Sequence, residues 1–200
     1  MSKGRIRHMF AGGNTSKGFF SYFDHILPQH RAERIIILKG GPGTGKSTFM
    51  KNIAEVFCEK GCDTEYLHCS SDPSSLDAVV IPEKGIAILD GTAPHITDPK
   101  NPGAVDEIIN LGRFWNYDGL IKNRERICGI NAETGRLFQR AYRYIQAGYS
   151  LYRDNEVIYN MAMDHGKANV VISEITDKIF AGIDVTEKEG EQRYLFASAI

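Results

Sequence analysis

A dominant charge is missing from this chain. Its 24 lysines and arginines are met by 25 aspartates and glutamates, leaving a net charge of −1. A bulk electrostatic pull on nucleic acid or on an anionic membrane is therefore not indicated, and neither is a nucleic-acid partner. Long hydrophobic runs are missing too. No stretch approaches the roughly 18 consecutive apolar residues that would span a membrane. The basic start, Met1-Ser2-Lys3-Gly4-Arg5-Ile6-Arg7, is short and leads into no apolar run, so it does not read as a signal peptide. Cysteine is sparse, and Cys58, Cys62, Cys69 and Cys128 form no C-x-x-C pair. A zinc site is not expected, and reduced thiols in a cytoplasmic protein are the preferred reading. What is left, 42% hydrophobic and 24% charged over 200 residues, suffices for one domain with a core.

Against that plain background one segment stands out. Residues 40–47 read Gly-Gly-Pro-Gly-Thr-Gly-Lys-Ser, and the apolar Arg34–Lys39 stands directly in front of them. Gly40, Gly45, Lys46 and Ser47 meet the phosphate-loop pattern G-x-x-x-x-G-K-[ST]. Its glycines let backbone N–H groups turn inward around a polyphosphate, and the helix that follows points its positive dipole end at the same anion. The expected nucleotide-binding residues are Gly41, Pro42, Gly43, Thr44, Gly45, Lys46, Ser47 and Thr48. Lys46 is expected to reach the β- and γ-phosphates and Ser47 to ligate Mg²⁺. ATP and Mg²⁺ are the expected ligand and cofactor.

Patterning around the loop predicts an α/β domain. Strands are expected at Ile6–Ala11, Arg34–Lys39, Thr64–Cys69 and Ile86–Asp90, with near-continuous apolar character that suits a parallel sheet buried on both faces. A helix over Lys46–Lys60 repeats Phe49, Ile53, Val56 and Phe57 on one face, and Gly61 ends it. A second helix is expected over Lys17–Leu27 after a turn at Gly12-Gly13-Asn14, and a short one at Ser74–Val80. Beyond a loop at Thr92–Pro102, helical periodicity dominates from Ala104 to Phe180, without a strand. Ile127, Thr134, Phe138, Ala141, Ile145 and Tyr152 suggest an apolar seam there, broken or bent at Gly129, Gly135 and Gly148. Residues 181–192 read as a linker, and Arg193–Ile200 as a strand. The whole is one domain: a core at 1–102, a helical segment at 103–180, the linker, and a returning strand or the start of a second repeat at 193–200. A parallel sheet of about five strands requires Arg193–Ala199 to return as the fifth, burying Leu195 or Phe196.

Asp90 closes an apolar strand, the place from which a carboxylate holds Mg²⁺ in phosphate-loop proteins. Lys46 and Asp90 are therefore the candidate catalytic pair, and Ser47 and Asp90 the candidate metal ligands. No Glu follows Asp90, so a water-activating base must come from elsewhere or hydrolysis is slow. His68, Ser70, Ser71, Asp72 and Asp77 follow one strand and Thr92 and His95 another, at the ends where such sheets bind ligands. Asp72, Asp77 and His95 are candidates to orient water or a second substrate, with turn formation as the plainer role. Arg136, Arg140 and Arg143 share a helix face, a solvated stripe or the source of an arginine finger. Tyr142, Tyr144, Tyr149 and Tyr152 read as packing residues.

Lys39–Thr48 together with Ile86–Asp90 resembles the P-loop NTPase superfamily. More narrowly, Arg7–Phe20, Leu38–Lys51, Leu67–Ser71, Leu89–Pro99 and Arg140–Tyr144 resemble an uncharacterised family of bacterial ATPase-like proteins with two tandem P-loop halves. In that family the second half opens with a segment like Arg193–Ile200, which here echoes Arg7–Gly12. The resemblance implies a mainly parallel P-loop sheet flanked by helices, a helical insertion, and a chain that is the first half of a longer protein. A second P-loop half or a homo-oligomer is the implied partner. The expected function is a slow, Mg²⁺-dependent ATPase that uses nucleotide state as a switch. The alternatives are a nucleotide or small-molecule kinase, and a nucleotide-binding module that needs a partner for turnover.

Overall fold

The computed structural model of the chain describes residues 2–94, 96–183 and 193–198. Its strands are β1 (Ile6–Phe10), β2 (Gly12–Thr15), β3 (Gly18–Ser21), β4 (Arg34–Lys39), β5 (Thr64–His68), β6 (Leu76–Ile81), β7 (Ile86–Asp90), β8 (Asp106–Asn110) and β9 (Ala197–Ser198). Its helices are α1 (Lys46–Glu59), α2 (Tyr117–Lys122), α3 (Arg124–Ala162) and α4 (His165–Phe180). The main sheet has 7 strands in the order β8-β4-β7-β6-β5-β1-β9, and β2 and β3 form a separate hairpin.

The mainly parallel sheet of about five strands does not form. The sheet is mixed: β4 pairs parallel with β7 and β8, and β1 with β5, but β6 is antiparallel to both neighbours and β9 is antiparallel to β1. The cause lies in the connections. A parallel crossover needs a dozen or more residues, whereas short links join β5 to β6 and β6 to β7. The second link is a 3-10 turn at Pro82–Lys84 closed by Gly85 at φ 60°. The helix expected at Ser74–Val80 is thus strand β6, and every residue of β6 is buried. From Ala78 onward the side chains alternate, Ala78 and Val80 entering one core layer and Val79 and Ile81 the other, while Leu76 joins the second layer across the register shift in the pairing with β5.

The helix expected over Lys17–Leu27 is replaced by the β2–β3 hairpin. The Thr15 hydroxyl donates to the Gly18 carbonyl and accepts from the Lys17 N–H, closing a turn rather than capping a helix. Gly18 has φ 102°, which interrupts any helix through it. After the hairpin, Phe23 and Ile26 pack under the sheet beside Ile35, Ile37, Leu67 and Leu89. The opposite face is covered by α1. Its buried apolar residues are Met50, Ala54 and Cys58, with Phe49, Ile53 and Phe57 at their flank, while Val56 is 47% exposed. Full burial of a Met50- or Leu38-sized side chain contributes about 1.5–3 kcal/mol.

The region after Ala104 also departs from expectation. Asp106–Asn110 forms β8 at the sheet edge, so the sheet extends beyond residue 102. Polar ties hold it where apolar pattern is weak. Arg34 pairs with Glu107, and the buried Asp106 carboxylate accepts from Gln29 Nε2 and from the Lys100 and Asn101 N–H groups. α3 runs unbroken through Gly129, Gly135 and Gly148 for 39 residues, about 58 Å at 1.5 Å per residue. Neither α3 nor α4 has a buried residue, so the expected apolar seam lies open. Tyr142 Oη donates to Asn14 Oδ1 at 2.9 Å where α3 meets β2.

The tail does return to the sheet, as β9, with Phe10 opposite Ala197 and Met9 opposite Ser198. The expected burial fails: Leu195 is 39% and Phe196 40% exposed, because β9 joins as an edge strand instead of an interior one. Most of the linker, residues 184–192, and the last two residues of the predicted strand lie outside the described residues. Among the described residues no helix is long and apolar enough to cross a membrane.

Candidate functional site

β4 and β7 lie side by side with Leu38 opposite Asp90, so both chains leave the sheet at the same end. The Gly40–Ser47 turn follows one strand and the 91–98 loop follows the other. The turn is shaped by its glycines: Gly43 has φ 76° and Gly45 has φ 84°, a conformation other residues adopt at a cost. The Thr44 hydroxyl braces it by donating to the Gly41 carbonyl at 2.8 Å. α1 begins at Lys46, directly after Gly45.

The Lys46 side chain is only 9% exposed. Its ammonium donates to the carbonyls of Gly40 (2.6 Å) and Gly41 (3.1 Å) and lies 3.5 Å from Asp90 Oδ2. The other Asp90 oxygen accepts from the Thr92 N–H (2.9 Å) and hydroxyl (2.5 Å). Ser47 Oγ accepts from the Leu76 N–H at 3.0 Å, which ties α1 to the start of β6. A buried cation and a carboxylate therefore meet at the mouth of the turn, with the Ser47 hydroxyl on the next residue of α1.

Asp77 joins them through β6. It is 7% exposed, and its pKa is raised to about 7. Burial is the main cause; a hydrogen bond from the Cys69 thiol opposes it, the nearby Asp90 and Asp72 charges add to it, and Lys46 counters them. Cys69 is itself pushed up, chiefly by burial. A carboxyl that titrates near neutrality can both accept and return a proton there.

The other residues predicted for the site divide. Thr92 supports Asp90. Asp72 shapes the β5–β6 turn, accepting from the Ser74 N–H at 3.2 Å and from the Ser74 and Ser75 hydroxyls. His68 Nδ1 lies 2.6 Å from the Pro73 carbonyl and Nε2 2.9 Å from His8 Nδ1, so His68 is held as a bridge between strands. Ser70 and Ser71 lie in that same turn, and His95 is outside the described residues. Arg136 pairs with Glu133, and Arg140 donates to Tyr144 Oη at 3.3 Å, one turn along the same helix. Those two are occupied along α3, with Arg143 on the same helix.

The missing Glu after Asp90 has a steric reason. A Cβ on Gly91 would lie 2.4 Å from Ile37 Cγ2, and Ile37 is fully buried. Lys39 fastens the same loop, donating to the carbonyls of Gly91 (2.8 Å) and Thr97 (2.7 Å) and pairing with Asp98.

Sequence reasoning passed over Trp115 and Tyr117. They lie beyond β8 and the 3-10 turn Leu111–Phe114, which abuts the glycine turn from the side opposite β7. The chain's one Trp, with a Tyr two residues on, is the signal that could have found them. A cavity of about 510 Å³ lies elsewhere, among Arg7, Glu65, Glu83, Lys84 and Arg193. It sits where β5 and β7 begin, away from the strand ends that carry the glycine turn.

No family model, curated protein or solved structure matches the chain.

Proposed function

We propose that Gly41–Thr48 binds Mg²⁺-ATP, and that the chain hydrolyses it slowly and uses nucleotide state as a switch. The observation that carries this reading is the Lys46 ammonium, buried at the start of α1 and set between the glycine-turn carbonyls and Asp90. A lysine held there supplies a fixed positive charge for β- and γ-phosphate oxygens, beside the backbone N–H groups of a helix start.

The donor set suits Mg²⁺. Ser47 Oγ and the Asp90 carboxylate are hard oxygens, and no group of three His, Cys, Asp or Glu residues among the described residues makes an all-protein cage. Mg²⁺ is commonly held by one or two protein oxygens together with substrate phosphates and waters. Ser47 and Asp90 would hold it, and the ion would neutralise charge building on the transferred phosphoryl group. Thr92 keeps the Asp90 carboxylate oriented.

Asp77 fits a second reading, phosphoryl transfer to a hydroxyl acceptor, as well as it fits hydrolysis. Its near-neutral carboxyl can take a proton from water or from an alcohol with equal chemistry, so phosphate release measured with and without acceptors separates hydrolase from kinase. Lys46→Ala tests the site itself. It is expected to weaken ATP binding or turnover by at least about 1.5–3 kcal/mol, the loss of charge-assisted hydrogen bonds. ATP affinity and turnover unchanged in that variant would remove the assignment.

A further inference from the structure

The two flanks of the glycine turn differ in chemistry. On the β7 and β6 side stand Asp90 and Asp77, where an anion needs a metal. On the β8 side Lys39 is opposite Asn110, so the end of β8 runs beside the start of the turn. There Asn110 Oδ1 accepts from the Gly112 N–H at 2.9 Å and the Trp115 N–H donates to the Gly112 carbonyl at 3.1 Å. These bonds fold Trp115 back over Gly112 and toward Gly41.

The indole packs against both glycines, tightly at Gly112 and in ordinary contact at Gly41. A Cβ on Gly112 would meet Trp115 Cζ2 and Cη2 at 3.3 Å, and one on Gly41 would meet Cζ2 at 3.5 Å. Tyr117 stands edge-on to the indole, ring centroids 6.0 Å apart at 71°. Trp115 nevertheless remains 39% exposed and Tyr117 56% exposed, and neither belongs to the buried core clusters. A large, propped aromatic face is thus kept in water beside the turn, on the flank away from the carboxylates.

We infer that Trp115, steadied by Tyr117, is the platform on which the nucleobase of the bound nucleotide stacks. The inference rests on the phosphate-site reading above. It adds that affinity comes partly from a base-tolerant aromatic contact, so ATP and GTP bind within a few-fold of each other while inorganic tripolyphosphate binds more weakly.

Trp115 is the one tryptophan of the chain, so its emission reports this flank alone. Titration of the full chain with Mg²⁺-ATP is expected to change that emission, and Mg²⁺-tripolyphosphate to leave it nearly unchanged. By calorimetry, Trp115→Ala should weaken ATP about 10-fold, within the range of base–aromatic stacking, and leave tripolyphosphate affinity as it was. Trp115→Phe should recover most of the loss. If tripolyphosphate binds in a Lys46-dependent way but Trp115→Ala leaves ATP affinity unchanged, the platform is overturned and the phosphate site stands. Equal weakening of ATP and tripolyphosphate by Trp115→Ala overturns it as well, because the side chain then supports the turn and not a base. If neither ligand binds the parent chain, both readings fall.

Discussion

Asp77 has its charge state set by its surroundings. In the folded chain its pKa is about 7, against an ordinary value of 3.8, chiefly because burial disfavours the carboxylate. Between about pH 4 and pH 7 the folded protein holds a proton that the unfolded chain has released. Stability therefore falls as pH rises through that window, and the full penalty is present above it. The shift sets an upper bound of about 4 kcal/mol. Asp77→Asn is expected to stabilise the chain at pH 8 and to be close to neutral at pH 4, as read by urea unfolding at both pH values. An identical effect at the two would show that the carboxyl is not strained by its ionisation. Asp90 is placed differently, with one oxygen 3.5 Å from the Lys46 ammonium and the other supported by Thr92. Asp90→Asn keeps the shape and removes the charge. It is expected to weaken ATP binding more with Mg²⁺ than without, and equal losses would leave Asp90 as a support for the Thr92 turn alone.

At the level of elements, the tail shows how a two-residue strand is held. β9 offers little hydrogen bonding, and Phe196 is only partly covered. Arg193 supplies the anchor, with its two terminal nitrogens 2.7 and 2.6 Å from the oxygens of Glu65, a side chain only 2% exposed. Arg7 also approaches Glu65, at 3.6 Å. Phe196 closes over Gly13, where an added Cβ would lie 2.0 Å from the ring. Arg193→Ala leaves Glu65 with the more distant Arg7. Breaking a buried pair is costly, but Arg193 is itself 35% exposed, so about 1–3 kcal/mol is expected. Ending the chain at Glu191 removes the same contact and the strand. It should lower the melting temperature by about 2–4 °C for each kcal/mol lost in a chain of this size. An unchanged melting temperature would mean that the tail contributes nothing to the sheet.

For the molecule as a whole, the arrangement argues for slow chemistry. The position after Asp90 is a glycine with no room for a side chain, so a carboxylate base cannot sit there. Arg136 and Arg140 are engaged along α3 itself. Phosphate release by the chain alone is therefore expected well below the enzyme median of about 10 s⁻¹, in a steady-state assay with Mg²⁺-ATP. Turnover near that median would show that Asp77 or another group already completes the site. The long α3 and α4 add no buried residue, so they extend the molecule without enlarging its core.

The strands that flank the glycine turn, the turn itself and α1 were legible in the sequence. Each depends on neighbours in the chain: an apolar run, glycines at obligatory positions, and a helical period with Gly61 at its end. Asp90 was legible for the same reason, as the acid closing an apolar run. Strand direction was not, because it depends on which strands become neighbours and how short their links are. Leu76–Ile81 reads locally as either helix or strand, and only its place between β5 and β7 makes it the antiparallel strand that turns a parallel sheet into a mixed one. Asp106–Asn110 has too little apolar pattern to announce a strand, and it is one because β4 presents an edge and Gln29, Lys100 and Asn101 satisfy Asp106. The sequence by itself determined a loop built around Lys46 and an acid at Asp90. The tertiary structure alone decided that Asp77 lies beside them and Trp115 on the opposite flank, since Asp77 is placed by the pairing of β6 with β5 and β7, and Trp115 follows β8, whose partner β4 is distant in the chain.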